Sequence, residues 1–315
     1  MSLLTLGTVA FDTITTPHGS SGKVVGGAAS YIALAASHFA PEQHVVSVVG
    51  GDFPASFLGL LESRGAGLKG LTKVADGESF HWAGSYHSDL VGRDTLATDL
   101  NVLMGWEPKV CSEGSQADFV MLGNLDPAVQ LSVLDQMSSP KLVVLDTMNF
   151  WMDVALENLK TVISRVDVLT VNDEEARQLT GEHFLPRAAR AIHAMGPQTV
   201  VIKKGEHGAL MFQGGQTFFA PAYPLEEVID PTGAGDTFAG GFVGYLSARF
   251  KESGALTWDH MKQAVTMGSV MASFTCEAFG TAKLERLTMN EVYARWKEYT
   301  MLTACGPMVW PQEPH

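Results

Sequence analysis

Runs of aliphatic residues alternate with segments of helical spacing almost from end to end, and that rhythm constrains the fold most. The runs are Leu3–Val9, His44–Val49, Asp118–Leu122, Leu142–Asp146, Val166–Val171 and Thr199–Lys203. Helical spacing marks Gly27–His38, Pro54–Arg64, Pro127–Met137, Asp153–Ser164, Glu174–Leu179 and Arg187–Met195. Strands this continuously apolar are buried on both faces, as in a parallel sheet covered by helices. Right-handed crossovers then predict a doubly wound, mostly parallel α/β sandwich. Ligands of such sheets bind beyond the carboxyl ends of the strands.

Two stretches break the rhythm. One runs from about residue 10 to 25, with a turn from Pro17 to Gly22, and the other from about 74 to 101. Both read as β, and together they predict a small β-sheet lid outside the sandwich. In the second, Phe80, Trp82 and Tyr86 share one alternating face, with His81, Ser85 and His87 on the other. The expectation is that the aromatic face packs on a partner and the polar face overlooks a pocket. An ordinary edge extension is the alternative. The reading is therefore one domain over residues 1–304, with a tail at 305–315 that carries three prolines and no periodicity.

Composition narrows the function. Twenty-one Lys and Arg against 34 Asp and Glu give a formal charge of −13. Such a chain repels nucleic acid and anionic bilayers, so neither is expected as a partner. No run approaches the roughly 18 apolar residues of a membrane span. The N-terminal MSLLTLGTVAFD has no basic segment and reaches an acid at Asp12. Cys111, Cys276 and Cys305 are isolated, with no CxxC pair. Both features point to the cytoplasm. The ten histidines form no cluster with metal-ligand spacing, and HExxH is absent.

The string Asp230-Pro231-Thr232-Gly233-Ala234-Gly235-Asp236-Thr237-Phe238-Ala239-Gly240-Gly241-Phe242 carries the chemistry. It places a glycine-rich turn before a helical face formed by Phe238, Phe242, Tyr245, Leu246 and Arg249. The amides of Gly233, Ala234, Gly235 and Asp236 at a helix start make an anion cradle, strengthened by the helix dipole. An acidic protein can thereby hold a polyphosphate with neutral dipoles. Asp236 beside that cradle suits proton abstraction from an incoming hydroxyl. As a bare GxGD, the same residues would read as a helix cap and a shaped turn. GxxxxGK[ST] is absent, as is GxGxxG after the first strand, which argues against a P-loop NTPase and a dinucleotide-dependent dehydrogenase.

This string resembles the second signature of the ribokinase-like, or PfkB, carbohydrate kinases, and the resemblance spans nearly the whole chain. It implies a ribokinase-like fold and ATP-dependent phosphorylation of a sugar or sugar-like alcohol, with Asp236 as base. By the same resemblance, Asp12 and the Gly26-Gly27 pair hold substrate hydroxyls. The family's NxxE motif appears as Asn172-Asp173-Glu174-Glu175. There it supports magnesium through water, and in any fold the same residues can make a helix capping box. Val200 to Gly208 resembles the strand and turn beside the nucleotide phosphates, with Lys203 as a point charge and Gly205 and Gly208 shaping the turn. For Lys203 a surface position is the bland alternative. Ser269 and Gly280 fall in segments resembling the adenine site. A monovalent cation such as potassium is implied beside the cradle, with Asp230 as candidate ligand, and a homodimer through the lid.

One position departs from the family. Relatives usually carry Asn after the Gly-Gly pair to contact the sugar, and Tyr31 stands there. Its ring can stack on a sugar, cyclitol or base, or fill the core of the first helix. Asp146 and Asn149, at a strand end, read as pocket-lining groups or as packing support. Arg93 in the lid reads as a sensor of an anionic substituent or as a solvated surface group. Nucleoside or cyclitol kinases of the same fold are alternatives, as is a non-catalytic sugar sensor.

Overall fold

The computed structural model describes residues 1–304, and the proposed tail, with Cys305, lies outside them. Thirteen strands form among the described residues: β1 (Leu3–Leu6), β2 (Ala10–Thr16), β3 (Gly19–Gly26), β4 (Gln43–Gly50), β5 (Ala66–Val74), β6 (His81–Tyr86), β7 (Arg93–Asp99), β8 (Phe119–Leu122), β9 (Leu142–Asp146), β10 (Val168–Asn172), β11 (Thr199–Lys203), β12 (Ala209–Gln213) and β13 (Gln216–Ala220). Nine build one sheet in the order β13-β12-β11-β10-β9-β8-β1-β4-β5. From β11 to β5 every pairing is parallel, while β12 and β13 are antiparallel. The winding therefore runs one way from β1 and the other way from β8.

Burial explains the apolar runs. Leu4, Leu6, Val120, Leu122, Leu145 and Leu169 point to one side, beneath helices Pro127–Gln136, Leu156–Ile163 and Leu185–His193. Leu3, Phe119, Met121, Val144 and Val201 point to the other, beneath Ala28–Ala36, Ala234–Ser253 and Trp258–Thr275. The last three helices cross closely. Gly240 sits against the backbone of Ile32, where no side chain fits. That contact locks the helix whose first turn carries Asp236 to the helix that begins after Gly27.

The remaining strands make the lid, ordered β3-β2-β6-β7. Its two excursions are those expected. Three strands of the large sheet, the edge strands β5 and β13 and the inner β12, were not expected. The first strand ends at Leu6 rather than Val9, and the helix expected over Asp153–Ser164 is two, Asn149–Val154 and Leu156–Ile163, broken at Ala155.

The lid brings one of the aromatic residues, Tyr86, to the pocket, where the polar face was expected. Trp82 pairs with Asp12, and Tyr86 lies opposite Arg93. Tyr86 is buried and its hydroxyl accepts a hydrogen bond from Thr232 Oγ1 at 3.2 Å. Tyr86, on the aromatic face, thus looks into the cleft. On the opposite face, His81 is tied to Thr13 (2.9 Å) and Asp99 (3.0 Å).

Candidate active site

The site assembles at the carboxyl edge of the large sheet. Helix Ala234–Ser253 starts from Gly233, whose φ of 77° is left-handed. A Cβ on Gly233 would also overlap the Tyr31 ring, so both backbone and space demand glycine there. The Ala234 amide turns back to the Pro231 carbonyl (3.1 Å). Among the described residues the Gly233 and Gly235 amides keep no partner, so the open donors of the cradle are these rather than Ala234.

Asp236 lies in the first turn, within electrostatic reach of Asp12, Asp146 and Lys203. Burial pushes its pKa up to about 7, helped by Asp146 and opposed by Lys203 and Arg93. Asp12, 4% exposed at the lid root, is also raised to about 7, by burial and then by Asp230 and Asp236. The Gly27 amide pulls it down. A Cβ on Gly26 would overlap the Asp12 carboxyl, so that pair leaves the carboxylate its place.

Lys203 is not a surface lysine. Its Nζ lies 2.9 and 3.0 Å from the carboxylate oxygens of Asp146, which also accepts the Thr170 hydroxyl at 3.0 Å. Burial favours loss of the Lys203 proton, but Asp146 and Glu175 outweigh it and raise the pKa. The ammonium sits beside Gly235, near where a Cβ would project. Asp146 is thus committed to Lys203 and Thr170. Asn149 stands apart, donating to Gln178 at 3.0 Å on an exposed surface.

Asn172 and Glu175 form the capping box: Asn172 Oδ1 accepts the Glu175 amide and Glu175 Oε2 accepts the Asn172 amide, both at 2.7 Å. Glu175 is nonetheless aimed at the site. Burial raises its pKa to about 7, with Lys203 opposing and Asp146 assisting. Asp230 is fully buried and accepts the amides of Thr232 (2.8 Å) and Gly280 (3.1 Å), tying two loops together. Its pKa is raised by burial.

Beside the cradle opens a cavity of about 440 Å³, whose lining includes Lys203, Gly205, Gly208, Gly235, Phe238 and Ser269. Arg93 and Tyr86 reach it from the lid. Of the two roles left open for it, Tyr31 takes the core one. Its ring is 1% exposed within the core, yet its hydroxyl lies amid Asp12, Asp230 and Asp236 and has no hydrogen-bond partner. The placement of Tyr86 and Arg93 at the cavity is set by the β6–β7 register, which no local sequence signal gives.

The sequence profile of the pfkB family carbohydrate kinases matches residues 13–286. The chain is 32% identical over 257 residues to a cytidine kinase of Thermococcus kodakarensis, covering 79% of this chain and 90% of that one. It is 28% identical over 266 residues to a nucleoside kinase of Methanothermobacter thermautotrophicus, covering 81% and 79%. In fold it is similar to a Burkholderia thailandensis nucleoside kinase solved in complex with ADP-inosine, with a TM-score of 0.76 at 19% identity over 99% and 100% of the two chains. By sequence match and fold together, the chain belongs to the pfkB family of carbohydrate kinases, a sugar or nucleoside kinase of ribokinase type.

Proposed function

We propose that this protein transfers the γ-phosphoryl group of ATP to a sugar hydroxyl, and that the sugar is the ribose of a nucleoside. The observation that carries the transfer is the place of Asp236. It stands between an acceptor-side carboxylate, Asp12, and a phosphate side built from the open amides and Lys203. The nucleoside reading is supported by the two long alignments, which are to a cytidine kinase and a nucleoside kinase.

Asp12 and the Gly26-Gly27 turn position the acceptor. Asp236 takes the hydroxyl proton as the oxygen attacks the γ-phosphorus in line. The new O–P bond forms as the bond to the β-phosphate oxygen breaks, and ADP departs. The Gly233 and Gly235 amides and the Lys203 ammonium stabilise charge on the group in transit. The lid excludes water that would otherwise intercept it.

The residues fit magnesium, since Glu175 commits only Oε2 to the capping box and keeps its second oxygen free. Glu175 and Asn172 would hold the ion through water, and it would neutralise phosphate charge. Asp230 fits a monovalent cation in chemistry, being a buried carboxylate with no side-chain cation paired to it among the described residues. It would supply charge compensation beside the cradle.

The test is ADP release from ATP and magnesium with cytidine, inosine, ribose or myo-inositol as acceptor. Turnover with a nucleoside and not with ribose or inositol is expected. Turnover with a free sugar or cyclitol alone would keep the kinase and remove the nucleoside assignment.

A further inference from the structure

We propose that Arg93 is a further catalytic residue, carried on the lid, whose guanidinium contacts the phosphoryl group in transit between ATP and the acceptor. The proposal rests on the kinase reading above. Cross-strand partners share a face of a sheet, and Arg93 lies opposite Tyr86. Tyr86 accepts from Thr232 in the glycine-rich loop, so that face is turned to the cradle. Arg93 then borders the same cavity as Lys203, Ala234 and Gly235.

Its surroundings locate it further. The Arg93 charge favours the ionised forms of Asp12, Glu175 and Asp236, groups on the acceptor side, the phosphate side and the centre. A residue that read a distal substituent of the acceptor would serve Asp12 alone. Arg93 also lines the cavity beside the glycine-rich turn, with Lys203 and Gly235.

Its donors are uncommitted. Among the described residues Arg93 makes no ion pair or side-chain hydrogen bond, and the Trp82 ring lies 5.8 Å from the guanidinium carbon. Lys203, by contrast, is held on Asp146 through two oxygens. The site thus holds five carboxylates, Asp12, Asp146, Glu175, Asp230 and Asp236, and one cation already paired. A phosphoryl group entering there needs a cation that is free to turn. A planar guanidinium can grip two of its oxygens at once, which an ammonium cannot. Because the arginine rides on the lid, transfer becomes efficient only when the lid lies over the acceptor.

Arg93→Ala and Arg93→Lys test this in the full chain. Binding of ADP, magnesium and aluminium fluoride with cytidine present is compared with binding of ADP and magnesium alone. Arg93→Ala is expected to bind the fluoride complex at least tenfold more weakly than wild type, with ADP affinity within twofold. Its kcat should fall on the order of a hundredfold or more, with KM for the acceptor within threefold, and added guanidinium should restore part of it. Arg93→Lys should recover less than a tenth of the lost rate. Equal affinity for the fluoride complex, or a raised acceptor KM with unchanged kcat, would overturn the assignment. Wild type that binds no ADP removes the kinase reading itself, a different result from wild type and Arg93→Ala binding the fluoride complex alike.

Discussion

Lys203 reaches across β10 to hold both carboxylate oxygens of Asp146 on β9, at 2.9 and 3.0 Å. The pair is nearly enclosed, with side chains 17% and 6% exposed. Three adjacent strand ends are joined, since Thr170 of β10 donates to the same carboxylate. Lys203 is therefore held in place by the alignment of three neighbouring strands.

Removing one member of this pair leaves the other buried without a counter-charge. Lys203→Met is expected to lower stability by about 3 kcal/mol, the usual scale for a broken buried pair. Lys203→Met with Asp146→Asn removes both charges and should recover at least half of it. Urea denaturation of the three proteins measures this. A Lys203→Met protein as stable as wild type would mean that the pair is not formed.

The lid is latched to the catalytic loop by one hydrogen bond, from Thr232 to Tyr86. Tyr86→Phe removes the acceptor and keeps the ring. A bond of this kind contributes about 1 kcal/mol, so kcat/KM should fall roughly fivefold with the unfolding midpoint little changed. Steady-state kinetics with unaltered kcat/KM would show that the latch contributes nothing to catalysis.

Tyr31 presents the opposite case, a buried hydroxyl with no partner. Such a group costs on the order of 1–3 kcal/mol. Tyr31→Phe should therefore be as stable as wild type or more stable by about 1 kcal/mol. Gly233→Ala, which meets the Tyr31 ring at a positive φ, should lose at least about 2 kcal/mol. Thermal unfolding of the two variants decides both, and a destabilised Tyr31→Phe would reveal a bond to the hydroxyl.

How much of this was legible depends on the range of the signal. Continuous apolar runs such as Val200-Val201-Ile202 gave the parallel strands, because burial on both faces leaves no room for alternation. The hairpin β12–β13 had a signal that the helical rhythm hid, the Gly214-Gly215 turn with both φ values positive. The cradle was readable because its donors are backbone amides within one short glycine-rich turn, Gly233 to Gly235. Arg93 and Tyr86 were not, since their direction is set by the register of a strand pair. The Lys203–Asp146 pair spans 57 residues of sequence, and its geometry exists only once β9, β10 and β11 are aligned.

The buried acids also make stability depend on pH. Asp12 and Asp236 have folded pKa values raised to about 7. Below about pH 4 both states hold these protons, and the contribution is fully present. As pH rises toward 7 the unfolded chain releases them first, so stability is lost through that window. The urea midpoint should fall between pH 5 and 8, and should fall less in Asp236→Asn. The opposite slope, with stability rising through this range, would contradict the burial of these carboxylates. Activity should run the other way, with kcat/KM rising through pH 7 as Asp236 ionises.

The central claim is that Asp236 is the base in phosphoryl transfer, and Asp236→Asn tests it with little change of shape. Acceptor-dependent ADP release is measured beside ADP binding on the same preparation. The account predicts a rate reduced by about a thousandfold or more, with ADP affinity within a few-fold of wild type. A variant that binds ADP normally and turns over at near-normal rate would contradict it.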